Sequence, residues 1–159
     1  MAGYSGTPLP RKLGIRAGHR VGVWGGPPHL ADLLAPLPDD VVLSDCAPGV
    51  KTRSLDVILA FVPREADLAP ALAACAGGVT WEGGLWVCWP KKKSPLHTDL
   101  AEGQVRQAGL ATGLVDNKIC AVDDDWSGLR FVHRRENRPT APGGKSGSGR
   151  RSSGRSGSD

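Results

Sequence analysis

The sequence predicts an α/β domain on a mostly parallel sheet of about six strands, closed by a C-terminal antiparallel hairpin. Three observations predict it. Short apolar runs alternate with helix-length segments from Arg20 to Gly109. Asp56–Val62 is β-rich and continuously apolar after its first residue, as a strand buried on both faces should be. Two last strand-like runs, Leu114–Val122 and Gly128–His133, are joined only by Asp123–Ser127, a hairpin connection rather than a helix.

The elements follow in order. Val21–Trp24 is a short strand running into the turn Gly25-Gly26-Pro27-Pro28. His29–Ala35 places Leu30, Leu33 and Leu34 at helical spacing before Pro36 stops it. Val41–Leu43 reads as a second strand. After it, Ser44–Leu55 is too short and too broken by Pro and Gly for a crossover helix. Pro63 ends the Asp56–Val62 strand. Asp67 can then cap a helix that has Pro70 in its first turn, Leu68, Leu72 and Cys75 on one face, and Gly77-Gly78 at its end. Gly84–Trp89 is a fourth buried strand, stopped by Pro90. Its Trp86 and Trp89 fall on opposite faces by strand alternation. Asp99 with Glu102 resembles a capping box, opening a helix that carries Leu100, Val105 and Ala108 and closes near Gly109. Alternation across Asp116-Asn117-Lys118 points Asp116 and Lys118 to one face and Asn117 to the other. The three form either a local polar network or a guard on an edge strand.

Three segments result: residues 1–19, which could fold over a cleft as a lid or form a bare terminus, the α/β domain over 20–138, and a tail over 139–159. The tail is Gly, Ser, Pro and Arg without a large apolar residue, so it is expected to be disordered. It holds Lys145, Arg150, Arg151 and Arg155 against Asp159, three of the four surplus positive charges in the 159-residue chain. A nucleic-acid-coating domain is therefore disfavoured, although the tail itself could make weak, salt-sensitive nucleic-acid contacts. No apolar run approaches the roughly 18–20 residues of a membrane helix, and the first residues lack the apolar stretch of a secretory signal. Cys46, Cys75, Cys88 and Cys120 stand apart without a CxxC pair, which favours free, mostly buried thiols in a reducing cytoplasm. Asp123-Asp124-Asp125 is better explained as turn chemistry than as a metal loop, and no metal site is expected.

Open parallel sheets bind ligands at the carboxyl ends of their strands, where the strand order reverses. That rule selects Gly25 and Gly26 after the first strand, Asp45 after the second, Pro63 after the third, and Trp89 and Lys91 at the end of the fourth. Glycines permit close backbone approach, an acid can accept from ribose hydroxyls, and the lysines Lys91–Lys93 could attract an anion. Gly25-Gly26-Pro27-Pro28 lacks GxGxxG spacing, so a plain strand-to-helix turn competes with the ligand reading. No catalytic residue can be assigned from spacing.

Two resemblances extend this picture. Leu13-Gly14-Ile15-Arg16-Ala17-Gly18-His19-Arg20-Val21 resembles the lead-in to the first strand of class I S-adenosylmethionine-dependent methyltransferases, and Asp56–Val62 and Gly83–Val87 echo later strands of that fold. It implies a trimmed Rossmann-like, methyltransferase-like sheet without the third strand and its helix. The acid of the family's acidic-x-Gly-x-Gly-x-Gly loop falls on Val23, and Gly25 is the family glycine that clearly remains. The phrases GYSGTPLPRKLGI, LWVCWPKK, GLVDNKICAVDDDWSGLRFV and RRENR resemble an actinobacterial family, domain of unknown function 3052. That resemblance implies a cytoplasmic protein with no assigned reaction. The expected function is a non-catalytic binding or regulatory protein on a degenerate methyltransferase-like scaffold, with a small ligand or a protein as partner and no membrane. One alternative is a small S-adenosylmethionine-dependent methyltransferase, or other nucleotide-ligand enzyme, with an altered pocket. Another is a nucleic-acid accessory protein acting through its tail. The cofactor stays open, with S-adenosylmethionine the candidate.

Overall fold

The computed structural model describes residues 7–46 and 53–139. The strands are β1 (Arg20–Trp24), β2 (Val42–Asp45), β3 (Leu55–Phe61), β4 (Val79–Pro90), β5 (Leu114–Ala121) and β6 (Trp126–His133). The helices are α1 (Leu9–Lys12), α2 (Leu30–Leu34), α3 (Leu68–Cys75) and α4 (Glu102–Ala111). All six strands form one sheet in the order β2-β1-β3-β4-β6-β5. β2, β1, β3 and β4 run parallel, and the β5–β6 hairpin closes the sheet antiparallel. The predicted architecture is the one observed. β2 is an exposed edge, and residues 46–54 alone connect it to β3. Of these, 47–52 lie outside the described residues, as do residues 1–6 of the expected lid and the tail from Thr140.

Strand alternation splits the core into two layers. Ile58, Ala60, Leu85, Val87, Trp89, Leu129 and Phe131 face α3 and α4. Val21, Val57, Leu59, Trp86 and Cys88 face Leu13, Ile15 and α2. Trp86 and Trp89 thus take opposite faces as expected, and both are buried, at 0% and 6% exposure. Trp86 Nε1 donates to the Leu13 carbonyl at 2.9 Å, fastening the N-terminal stretch to the sheet. Cys46, Cys75 and Cys88 are buried free thiols, and Cys120 is half-buried. Burial raises Cys75 and Cys88 well above the ordinary thiol value, which keeps them as neutral apolar groups.

Local chemistry departs from expectation at three places. The first is Asp116–Lys118. A bulge between them sets Asp116 opposite Phe131 and Lys118 opposite Arg130, so the two side chains take opposite faces instead of sharing one. Asp116 meets Arg106 of α4 at 3.1 Å, and β5 is an edge strand. The second is Asp99, which does not cap α4. The helix begins at Glu102, where Gln104 Oε1 accepts from the Ala101 N–H at 2.7 Å, while Asp99 Oδ1 accepts from the Glu65 N–H at 3.0 Å.

The third is Gly109, which does not close α4 but sits inside it. A Cβ there would collide with the ring of Phe131, so the glycine sets the distance between helix and sheet. Gly109→Ala is expected to destabilise the fold by about 1–3 kcal/mol through overpacking, measured by urea unfolding. Unchanged stability would show that the ring moves aside freely.

At the start of β4, the Trp81 ring lies tilted against His133 with centroids 4.5 Å apart, and Arg53 covers the Trp81 ring at 4.2 Å. His133 Nε2 lies 3.3 Å from the Val79 carbonyl. Burial holds this imidazole below its ordinary value near 6.5, helped by Arg53 and Arg138 and opposed by the Val79 carbonyl. Below that value the unfolded chain takes up the proton more readily than the native one, so stability falls as pH drops below the ordinary histidine value. His133→Gln should flatten this part of the pH–stability curve; an unaltered acid limb would assign it to other groups.

Candidate functional site

The reversal of strand order falls between β1 and β3, whose carboxyl ends share one edge with those of β2 and β4. Gly25, Gly26, Asp45, Pro63 and Lys91 follow or end these strands, and register sets Asp45 opposite Val23. Gly25 and Gly26 have φ of 69° and 112°, values that L side chains rarely adopt. A Cβ on Gly25 would stand 3.0 Å from the Phe61 carbonyl oxygen, and one on Gly26 would touch Leu30, Phe61 and Val23. The side on which both glycines lack a Cβ therefore faces the protein's own groups. The sequence-level alternative, a tight strand-to-helix turn, accounts for both.

Phe61 ends β3 at 3% exposure and meets Trp126 edge-on, with centroids 5.1 Å apart and planes at 85°. Trp126 begins β6 opposite Pro90, so the hairpin turn comes down on the same edge. Asp123 Oδ1 accepts from the N–H groups of Asp125 and Trp126, both at 2.9 Å, so this aspartate holds the hairpin turn. His29 Nε2 lies 3.4 Å from Asp123 Oδ2, tying the turn after β1 to the hairpin. Beyond β3, the Pro63 carbonyl accepts from Thr98 Oγ1, and Asp99 holds the Glu65 N–H. The Asp99 carboxyl sits below its usual range, chiefly through that Glu65 N–H. Beyond β4, the Lys91 N–H donates to the Asp125 carbonyl at 2.8 Å, and Ser94 Oγ to Asp125 Oδ1 at 2.9 Å.

The candidate residues separate into two groups. Gly25, Gly26 and Pro63 surround the end of β3, with Asp45 exposed at the edge. Trp89 and Lys91 instead line a cavity of about 400 Å³ with Leu100, Glu102 and Gly103 at the start of α4, and none of the other four reaches it. Among the described residues, no three His, Cys, Asp or Glu side chains converge as a metal site. The Phe61–Trp126 pair was missed from sequence, because residues 65 positions apart meet only when the hairpin folds back over β3.

Known structures share this topology. A SAM-dependent methyltransferase from Aquifex aeolicus superposes with a TM-score of 0.53 at 12% identity, covering 76% of this chain and 85% of that one. A TehB-like SAM-dependent methyltransferase from Corynebacterium glutamicum gives 0.50 at 14%, covering 84% and 91%. The chain has the fold of the class I methyltransferases. Magnesium protoporphyrin IX methyltransferase from Synechocystis, with SAM bound, gives 0.55 at 10%, covering 79% and 74%. At these identities the likeness concerns fold alone. No family model matches the chain, and no curated protein matches it. Among the described residues, no helix is long and apolar enough to cross a membrane.

Proposed function

We propose that the chain is a non-catalytic binding or regulatory protein on a methyltransferase scaffold whose cofactor crevice has been filled by its own side chains. The observation that carries this is Phe61, which packs against the Gly25-Gly26 turn and meets the Trp126 ring edge-on. Where methyltransferases of this fold keep a glycine loop open to S-adenosylmethionine, these glycines face Phe61 and Leu30, and Val23 stands at the position of the loop's acid. The residues present do not fit the cofactor. The ties from Thr98 and Asp99 to the segment after β3 hold the same edge shut from the other layer. The resemblance to the domain of unknown function 3052 family implies a cytoplasmic protein and leaves its reaction open.

The competing reading is a small S-adenosylmethionine-dependent methyltransferase with a pocket made from Gly25, Gly26, Asp45, Pro63, Trp89 and Lys91. In its favour is the exposed carboxylate of Asp45 at the end of β2, open to a ribose. Thermal unfolding separates the two. A ligand at a hundredfold excess over its Kd stabilises a protein by about 2.7 kcal/mol, which moves the midpoint of a domain this size by several degrees. S-adenosylhomocysteine at about 1 mM is expected to leave the midpoint where it was; a rise of about 5 °C or more would establish the cofactor site.

A further inference from the structure

A second region of the molecule carries a stronger ligand signature than the strand-end crevice. On the Trp86 face lies a cavity of about 910 Å³ lined by Arg11, Lys12, Arg16, Lys118 and Arg130, with no carboxylate on its walls. These five cations come from two stretches of chain far apart in sequence, the segment before β1 and the β5–β6 hairpin. The ion pairs found among the described residues all lie elsewhere, so none of the five is neutralised by a carboxylate partner there. Among the described residues, Lys12 Nζ donates to a backbone carbonyl, that of Ala121, at 3.3 Å.

The hairpin places its charges in an arrangement that costs stability without an anion. Lys118 and Arg130 stand directly opposite each other, a like-charge cross-strand pair. The bulge that turns Lys118 into the cavity sends Asp116 to the other face, where Arg106 holds it, so the strand's own carboxylate cannot compensate. Arg130 is half-buried, and its guanidinium lies against Gly84, where a Cβ would collide with it. Burial, then the nearby Arg138, depresses it below the usual arginine value. A smaller adjoining cavity shares Gly14, Arg16 and Arg130 and carries Asp56 and Glu82, but neither acid pairs with Arg130. Asp56 Oδ2 instead accepts from the Arg20 N–H at 2.8 Å.

The remaining walls are apolar. Leu13 and Ile15 form one, and Pro36, Leu37 and Pro38 another. The volume falls in the range of small-molecule sites, and arginine is suited to bidentate recognition of phosphate. We infer that this cavity binds a small phosphorylated molecule, with Lys118 and Arg130 on its phosphate and the Leu13 and Pro36 walls against its apolar part. None of the strand-end candidates lines the cavity, so the site stands or falls independently of S-adenosylmethionine binding.

Calorimetric titration of the full chain with inorganic pyrophosphate, at constant ionic strength, tests this. Saturable one-to-one binding is expected, weakened at least about tenfold in Lys118→Glu and unchanged in Arg135→Glu, an exposed arginine outside this cavity and its neighbour. Both positions are exposed, and the thermal midpoint of each variant reports that it has folded. Absence of saturable heat up to about 10 mM pyrophosphate would overturn the site, as would equal weakening in both variants. A single-stranded oligonucleotide that binds more tightly than pyrophosphate, and loses that binding in Lys118→Glu, would overturn the small-ligand assignment in favour of a nucleic-acid surface.

Discussion

Trp86→Ala is expected to lower the unfolding free energy by about 3–5 kcal/mol, the range for truncating a fully buried aromatic. Trp86 is 0% exposed, and its ring lies over Gly128, where a Cβ would come 3.1 Å from Trp86 Cε3. It also donates to the Leu13 carbonyl, so its loss leaves both a cavity and an unpaired buried acceptor. Trp86→Phe separates the two effects. It keeps most of the volume and should cost about 1–3 kcal/mol, the penalty for an orphaned buried polar group. Denaturant unfolding followed by far-UV circular dichroism gives both values. A loss below about 1 kcal/mol for the alanine variant would mean that the N-terminal stretch is not fastened to the sheet through this side chain.

Phe61→Ala carries the second large effect, about 3–4 kcal/mol from the emptied ring site. Phe61 touches Trp126 from one strand and sits beside the Gly26 turn from another, so truncation loosens the whole strand-end edge. The same variant has a structural readout. Trp126 loses its edge-on partner, and its near-ultraviolet circular dichroism contribution should fall. A variant with wild-type stability and an unaltered near-ultraviolet spectrum would show that the crevice is not packed as described.

Much of this architecture was legible because strong local signals agreed with one another. Asp56–Val62 and Gly84–Trp89 are too continuously apolar to be anything but interior strands, and the short Asp123–Ser127 connection forces a hairpin. The brevity of Ser44–Leu55 left no room for a full crossover helix, and the parity of Trp86 and Trp89 assigned them to separate layers. What escaped depends on contacts between distant residues or on breaks in a period. Simple alternation cannot anticipate the bulge at Asn117, and that bulge decides which face receives Lys118. The spacing of Asp99 and Glu102 suits a capping box, yet the Asp99 carboxylate finds the Glu65 N–H on a neighbouring loop. Gly109 looks like a helix stop in one dimension and is a packing contact with Phe131 in three.

For the candidate site, the sequence indicated which strand ends lie together but not how they pack. The strand-end rule selected one edge of the sheet, and the Gly25-Gly26 turn there was open to two readings. Only the aromatic pair across β3 and β6 distinguishes a cradle from a plug. The cationic cavity left no motif, because Arg11, Lys12 and Arg16 lie about a hundred residues before Lys118 and Arg130. The one faint signal was an arginine at position 130 inside an otherwise apolar strand. Anion binding was expected instead at Lys91–Lys93, where Lys91 and Lys92 share their cavity with Glu102.

The most direct test of the central claim, that this methyltransferase scaffold has closed its cofactor crevice, is calorimetric titration of S-adenosylhomocysteine into the full chain. A filled crevice predicts no saturable heat up to about 1 mM ligand. One-to-one binding with a Kd below about 100 μM, abolished by Gly25→Val, would contradict it and establish an open cofactor site.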